Sequence, residues 1–291
     1  MPHDSDFHLH STASDGTLSP TQLVDYAQSH GVSRLALTDH DTTAGLAEAS
    51  QAAAARGIAF VPGVEISTTW EGVNVHVVGL GVDPGSAMLQ DGLALLSQRR
   101  AKRAVEIARR LEKRRIVGAL AGAGALAGPA AVTRTHFARW LVAAGHAVDA
   151  ASAHKRFLAR GKAGHVPSDW VDIATAIAWI RTAGGAAVLA HPLRYPIHNR
   201  RLRYLVAEFA AAGGEAMEVV SGSQALDRTG LLVELARQHD LCASGGSDFH
   251  SPEQTWLAPG RFAPIPAECR PIGDILASAF DATTLKAVSS G

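Results

Sequence analysis

Segments with the pattern of β-strands alternate along this chain with segments typical of α-helices, and most of the predicted strands end in histidine or acidic residues. In "DFHLH", His8 and His10 would share one face of a strand, because side chains two residues apart point the same way. Further strands are predicted for "SRLALTDHD", "IAFVPGVEIS", "VNVHVVGLG", "AAVLAHP", "AMEVVSG" and "LCASGGSDFH". Such alternation predicts parallel strands joined by helices, in either an α/β barrel or an open doubly wound sheet.

The helix signals between these strands are specific. In "SPTQLVDYAQSHG", Ser19 is the expected N-cap, Pro20 the first helical residue, Gln22 the partner in a capping box and Gly31 the stop. From about residue 86 to residue 165 the strand signals cease and the chain reads as helical throughout. We therefore predict an α/β domain made of residues 1–85 and 166–291, with a helical insertion at 86–165.

Composition excludes several classes of protein. The formal net charge is zero, so there is no global field for nucleic acid or anionic membrane. Two cysteines are too few for a disulfide framework or a cysteine zinc site, which fits a reducing compartment. Neither a signal sequence nor a membrane-spanning segment is evident, so we expect a cytoplasmic protein. No obligatory protein partner is evident.

Fourteen histidines in a chain with only three tyrosines point to metal chemistry. Nearly all of the candidate ligands lie at or just after the carboxyl end of a predicted strand, the edge at which α/β folds build their sites. Imidazole and carboxylate ligands without thiolates suit Mn²⁺, Fe²⁺ or Zn²⁺. Asp39 and Asp41 are expected to cap or to support ligands. The candidate ligands, too many for one ion, are His8, His10, Asp15, His40, Glu65, His76, His191, Asp248 and His250.

These residues lie in segments that resemble the PHP (polymerase and histidinol phosphatase) family, which is related to the amidohydrolases. The family's four motifs read here as "DFHLHSTASDG", "LTDHDT", "AHP" and "SDFH", and "PGVEIS" and "VNVHVVG" match two further ligand segments. The resemblance covers residues 6–80 and about 166–252. It implies a distorted (β/α)7 barrel with a helical insertion and a trinuclear metal site.

By this resemblance all nine candidates are metal ligands, for two or three divalent ions per chain, with Mn²⁺ expected and Zn²⁺ or Fe²⁺ as alternatives. Each expected ion has its own ligand set, and the first and second ions share Glu65. The sets are His8, His10, Glu65 and Asp248 for the first ion, Glu65, His76 and His191 for the second, and Asp15, His40 and His250 for the third.

Within the family, "VTRTHFARWLV", "KRFLARGKAGHVP" and "HPLRY" resemble the YciV/TrpH-like branch. Its members are described as 3′,5′-nucleoside bisphosphate phosphatases or as 5′→3′ exoribonucleases. The resemblance implies a phosphoric monoester hydrolase that converts a substrate such as adenosine 3′,5′-bisphosphate to the 5′-monophosphate and phosphate. The alternatives are an exoribonuclease on short RNA, a histidinol-phosphate-type phosphatase and a non-catalytic metal-binding module.

A strongly basic stretch lies in the predicted insertion. Residues 99–115 contain nine lysines and arginines against Glu106 and Glu112. One interpretation is a solvated helix face. The other is a substrate lid, in which Lys102, Arg103 and Arg134 reach over the barrel mouth and hold a second phosphate, as the planar fork of arginine allows. Arg194, after His191 and Pro192, is a further candidate for binding substrate.

Overall fold

Seven strands form one sheet in chain order in the computed structural model, which describes residues 3–222 and 224–276. Just after β1, Phe7 donates its N–H to the carbonyl of Gly245 in β7 at 3.4 Å, and Leu9 pairs with Phe249. The sheet thereby closes into a nearly complete barrel, and the predicted α/β barrel is confirmed. The strands are β1 (Ser5–Asp6), β2 (Arg34–Leu37), β3 (Ala59–Trp70), β4 (Val73–Leu80), β5 (Ala186–Leu189), β6 (Ala216–Ser221) and β7 (Cys242–Gly246).

The first helix begins where its sequence signals place it. Ser19 caps the first helix, and Gln22 completes the capping box as predicted. The α-helices in the described residues are α1 (Pro20–Ser29), α2 (Leu46–Ala55), α3 (Ala87–Glu112), α4 (Ala119–Ala127), α5 (Arg134–Ala143), α6 (Ala150–Ala153), α7 (Ile173–Thr182), α8 (Asn199–Ala211) and α9 (Thr229–Gln238). A π-helical turn follows at His154–Leu158, and 3₁₀ turns lie at Pro192–Arg194 and Leu226–Arg228.

The strand directions differ from the prediction in one place. Strands β1 to β3 are parallel, as are β5 to β7, but β4 is antiparallel to both of its neighbours. The cause is a tight hairpin, in which Glu71 and Gly72 both adopt positive φ angles of 44° and 74°. Two such residues form the turn that matches the twist of paired strands. Glu65 therefore lies inside the long strand β3 and not near its end.

The residues group into two compact units, a barrel unit of Met1–Gly92 with Val171–Gly291 and a helical unit of Leu93–Trp170. In the barrel unit, alternation along β2 separates two apolar cores. Leu35 and Leu37 pack with helices α1 and α2, whereas Ala36 joins a cluster with side chains from the other strands. The barrel unit thus has one apolar core under helices α1 and α2 and another formed mainly by the strands.

The helical unit has its own core. An apolar stripe of α3, which includes Ile107 and Leu111, is buried against α4, α5 and the π-helical turn. Lys102, Arg109 and Lys113 are exposed on that segment.

Among the described residues, no helix combines the length and the apolar character needed to cross a membrane.

Candidate metal centre

His8 and His10 lie on the continuation of β1, beside the segment that follows β7. The His8 carbonyl accepts the N–H of Asp248 at 2.9 Å, and His10 donates its own N–H to the Phe249 carbonyl at 3.0 Å. The two imidazole rings are 5.1 Å apart, centre to centre, and both residues are fully buried. The predicted common face of His8 and His10 is present, although the regular strand ends at Asp6.

The loop after His10 is held in place by Asp39. This carboxylate accepts hydrogen bonds from the Ser11 N–H at 2.8 Å, and from the hydroxyls of Ser11 and Ser14 at 2.6 Å each. The loop presents Asp15, whose Oδ1 lies 3.4 Å from Nε2 of His250. Asp39 therefore shapes the ligand loop. Asp41 supports strand β3 near Glu65, because it accepts the N–H of Ser67 at 2.7 Å.

Glu65 is the centre of the histidine cluster. Its carboxylate is fully buried on β3, where strand pairing with β4 brings His76 close. Oε2 lies 2.8 Å from Nδ1 of His40 and 3.3 Å from Nε2 of both His8 and His10. Oε1 lies 2.8 Å from Nδ1 of His76 and 3.1 Å from Nε2 of His191. One carboxylate thus contacts five imidazoles.

Asp248 forms the second acidic centre. Its Oδ1 lies 3.1 Å from Nε2 of His10 and 3.4 Å from Nε2 of His8. Its other oxygen is paired with Nη1 of Arg194. The residue has a positive φ of 55°, which turns the chain directly after β7 and brings His250 to the same side. His250 and His10 stack with ring centres 4.0 Å apart.

Eight of the nine predicted ligands fall into three overlapping clusters. Within each cluster, the potential ligand atoms all lie within 4.8 Å of one another. The cluster that contains Asp248 matches the ligand set predicted for the first ion. The cluster that contains Asp15 includes the whole ligand set predicted for the third ion. His40 takes the place expected for His191 in the remaining cluster, although His191 contacts Glu65 directly. The clusters are His8, His10, Glu65 and Asp248; His10, Asp15, His40 and His250; and His40, Glu65 and His76.

The donor atoms fit divalent cations. Several ring nitrogens and carboxylate oxygens in these clusters are buried and make no hydrogen bond within the described part of the chain, among them Nε2 of His8, both ring nitrogens of His10, Oδ1 of Asp15 and Oε2 of Glu65. Buried polar atoms without partners are costly, and a bound cation would satisfy them. Mixed imidazole and carboxylate donors suit Mn²⁺, Fe²⁺ or Zn²⁺. The clusters are therefore able to hold metal ions.

The charges at the site also favour the binding of cations. Burial opposes the charged form of Glu65, but His40, His76 and His8 hold the pKa of Glu65 well below its usual range. The Asp248 carboxyl is buried too, and Arg194 and the neighbouring histidines likewise keep its pKa low. Burial disfavours the charged form of His10, yet contacts with Asp248 and Glu65 raise its pKa to about 10. The carboxylates stay ionised, and a cation would displace the histidine protons that balance them.

Comparison with known proteins agrees with this geometry. The family model described as the PHP domain matches residues 6–163. The chain belongs to the PHP-domain family. The resemblance inferred from the motifs is thus confirmed.

Relatives of this PHP-domain chain cover nearly its whole length. The 5′-3′ exoribonuclease Rnm of Escherichia coli is 49% identical over 264 residues, which are 90% of each chain. The 3′,5′-nucleoside bisphosphate phosphatase of Chromobacterium violaceum is 44% identical over 268 residues, 92% of this chain and 94% of the relative. A solved Chromobacterium violaceum structure, described as an amidohydrolase with bound sulfate and no metal, has a TM-score of 0.91 and 42% identity, over 95% of this chain and 97% of that one.

Two further residues that contact the candidate ligands were not predicted from the sequence. Glu218, in the buried strand β6, lies 2.6 Å from Nδ1 of His8. The Tyr195 hydroxyl accepts the N–H of His76 at 3.0 Å and donates to the Ala190 carbonyl at 2.7 Å. A lone glutamate within the apolar run "AMEVVS" is the only signal that the sequence gives for Glu218. No comparable signal marks Tyr195.

The predicted substrate-binding residues fall into two groups. Arg194 lies beside the candidate metal centre, where it is paired with Asp248. Lys102, Arg103 and Arg134 belong to the helical unit. There Arg103 donates to the Val166 carbonyl at 3.2 Å and 3.3 Å, and burial together with nearby arginines lowers its pKa to about 9. Their role as phosphate ligands stays a prediction.

Proposed function

We propose that this chain is a metal-dependent phosphoesterase that hydrolyses the 3′-phosphate of nucleoside 3′,5′-bisphosphates, giving the 5′-monophosphate and phosphate. The observation that carries the chemistry is the convergence of five imidazoles on the Glu65 carboxylate, with Asp248 beside them. A relative with 44% identity over 92% of this chain bears the name of this activity, and it supports the choice of substrate.

Hydrolysis breaks the bond between phosphorus and the 3′ oxygen. Water supplies an oxygen to the phosphate and a proton to the leaving 3′ oxygen. The nine predicted ligands would hold the cations. Divalent cations, when bound, would neutralise charge on the phosphoryl oxygens and lower the pKa of water. Arg194, about two-fifths exposed, would bind a phosphoryl oxygen with the part of its guanidinium that Asp248 does not occupy.

The helical unit supports a small substrate. Several of its basic residues are engaged within the unit: Arg109 and Arg110 bind Glu106, and Arg99 donates to the Asp169 carbonyl. Sequence-tolerant binding of single strands needs exposed aromatic side chains for base stacking. Three aromatic residues of this unit, Phe137, Trp140 and Phe157, pack in or against its core. A phosphate clamp made of Lys102, Arg103 and Arg134 fits these observations better than a track for RNA.

The second candidate is a 5′→3′ exoribonuclease that acts on short RNA. It is favoured by the relative of this name from Escherichia coli, which is 49% identical over 90% of this chain. The same ligands would serve, because both reactions attack a phosphate ester. The leaving group is a ribose 3′ oxygen in both reactions. What differs is the ester that is attacked, which is a diester in RNA and a monoester in the bisphosphate.

One assay separates the two candidates. The chain with added Mn²⁺ is incubated with adenosine 3′,5′-bisphosphate, AMP and a 5′-phosphorylated RNA pentamer, and the products are resolved by chromatography. We expect fast formation of AMP and phosphate from the bisphosphate, with the pentamer intact. Stepwise release of 5′-mononucleotides at a comparable rate would establish the exoribonuclease instead. The His8→Ala variant should lack either activity, and retention of wild-type kcat would contradict the metal centre.

A further inference from the structure

Glu218 is a carboxylate in an apolar position. All six residues of β6 are buried, and Glu218 is only 2% exposed. Burying a carboxylate costs several kcal/mol unless hydrogen bonds compensate. Its two oxygens each have such a partner: Oε1 lies 2.6 Å from Nδ1 of His8, and Oε2 accepts the backbone N–H of His191 at 2.6 Å. Glu218 belongs to none of the three ligand clusters found among residues 3–222 and 224–276.

The contact with His8 determines which ring nitrogen faces the metal centre. Nε2 of His8 lies 3.3 Å from Glu65 and 3.4 Å from Asp248, whereas Nδ1 faces Glu218. Because a carboxylate only accepts, Nδ1 carries the proton, and in the neutral ring Nε2 keeps its lone pair. Histidines that bind metals depend on such a partner for their orientation and basicity.

The contact with His191 acts on the backbone. His191 has a positive φ of 28°, a conformation that is rare for a residue with a side chain and that needs support from its surroundings. The hydrogen bond from its N–H to Glu218 gives that support just before Pro192. With the backbone held, the ring places Nε2 at 3.1 Å from Oε1 of Glu65.

We propose that Glu218 is a positioning residue that orients two candidate metal ligands, His8 and His191, at once. One carboxylate oxygen fixes the tautomer of His8, and the other fixes the backbone of His191. The inference rests on the proposed metal centre and does not depend on which phosphate ester is the substrate.

The Glu218→Gln variant tests this role with little change in volume. A glutamine offers one acceptor and one donor, so it cannot accept from both groups. If its oxygen stays on the His191 N–H, its NH₂ group faces Nδ1 of His8 and favours the tautomer with a proton on Nε2, which cannot bind metal. We expect the affinity for Mn²⁺, measured by titration of the chelator-treated chain, to fall by about 10–100-fold. The number of ions retained after dialysis, measured by elemental analysis, should fall as well.

Glu215→Gln is the matched control. Glu215 lies three residues earlier, and its carboxylate also accepts a backbone N–H, that of Ala187 at 3.3 Å. It has no contact with a candidate ligand among its described hydrogen bonds, so its Mn²⁺ affinity should equal that of the wild type. Unchanged affinity and ion count in folded Glu218→Gln would overturn the inference. Should that variant not fold, Glu218→Asp, too short to reach both groups, must show the loss of affinity, and wild-type affinity there would overturn it.

The outcomes also separate this inference from the proposed function. If the wild type binds Mn²⁺ but hydrolyses neither the bisphosphate nor the RNA, the proposed function fails, whereas a loss of Mn²⁺ affinity in Glu218→Gln still supports the positioning role. If the wild type retains no divalent metal at all, both are overturned.

Discussion

Gly246 on β7 lies directly against His8. A Cβ atom on Gly246 would come 2.3 Å from the Cβ of His8 and 2.9 Å from its amide nitrogen. Backbone atoms cannot move away cheaply at such a distance, and the barrel is closed at this point by hydrogen bonds between the segments that follow β1 and β7. The absence of a side chain at Gly246 therefore sets the position of a candidate metal ligand.

Gly246→Ala should accordingly displace His8. We expect a loss of stability of about 1–3 kcal/mol from overpacking, together with weaker Mn²⁺ binding. Gly230→Ala is the control, because a Cβ there meets nothing within 4 Å and the residue lies in helix α9. Alanine should raise stability there by up to about 1 kcal/mol and leave Mn²⁺ binding unchanged. Thermal melting and metal titration of both variants check this, and equal behaviour of the two would contradict it.

Glu65→Gln removes the charge that two of the three ligand clusters share. Glu65 belongs to two of the three clusters, so we expect the loss of more than one ion per chain and a fall in kcat greater than about 100-fold, beyond the effect typical of supporting residues. Elemental analysis after dialysis gives the ion count. His76→Ala, which affects one cluster only, should lose fewer ions. The opposite order would argue against a bridging role for Glu65.

The sequence predicts local features well and the contacts between distant segments poorly. The capping box of α1 was predictable because its signals are adjacent. The antiparallel direction of β4 was not, because "VNVHVVGLG" shows the same alternation in either direction and Glu71 is an unusual residue for a positive φ. Glu218 contacts His8 across 210 positions of sequence, and no local pattern encodes such a pair.

The ligand set was predictable in part. Histidines and carboxylates at strand ends could be selected from the sequence, and the barrel brings most of them together because its parallel strands end at one edge. Glu65 and His76 are different, because they come together through the antiparallel pairing of β3 and β4. Their division among ions depends on side-chain geometry. His40 and His191 both contact Glu65, and only the distances place His40 in two of the clusters.

Asp6 should make stability depend on pH. Burial raises its pKa from 3.8 to about 6, although it accepts hydrogen bonds from the N–H groups of Ser247 and Gly260. Since the folded chain holds this proton more tightly than the unfolded chain does, the stabilisation is complete below pH 3.8 and is lost as the pH rises through about 6. The change is of the order of 3 kcal/mol.

The Asp6→Asn variant isolates this titration, because asparagine does not ionise. In the metal-free chain, the melting temperature of the wild type relative to the variant should be highest near pH 4 and should fall towards pH 7. The lost hydrogen bonds add an offset that does not depend on pH. A difference that stays flat, or that grows with pH, would contradict the raised pKa.

Arg194→Met separates binding of substrate from binding of metal. Arg194 is paired with Asp248, and its charge would oppose a cation at that carboxylate while it attracts a phosphate. We expect KM for the bisphosphate to rise about 10-fold or more and the Mn²⁺ affinity to stay equal or increase. Arg194→Lys should restore only part of the loss, since lysine lacks the planar fork. Loss of Mn²⁺ affinity in Arg194→Met would show that the arginine supports the metal centre instead.

Lys102→Ala and Arg134→Ala test the phosphate clamp of the helical unit. If these side chains bind the second phosphate, each variant should raise KM for adenosine 3′,5′-bisphosphate by about 10-fold, the effect of one hydrogen bond to a charged group. KM for p-nitrophenyl phosphate, which has a single phosphate, should not change. Lys113→Ala is the control, because Lys113 is also exposed and basic but lies outside the proposed clamp. A rise in KM for both substrates, or the same rise in the Lys113→Ala control, would mean that general attraction of anions, and not a clamp, explains the basic stretch.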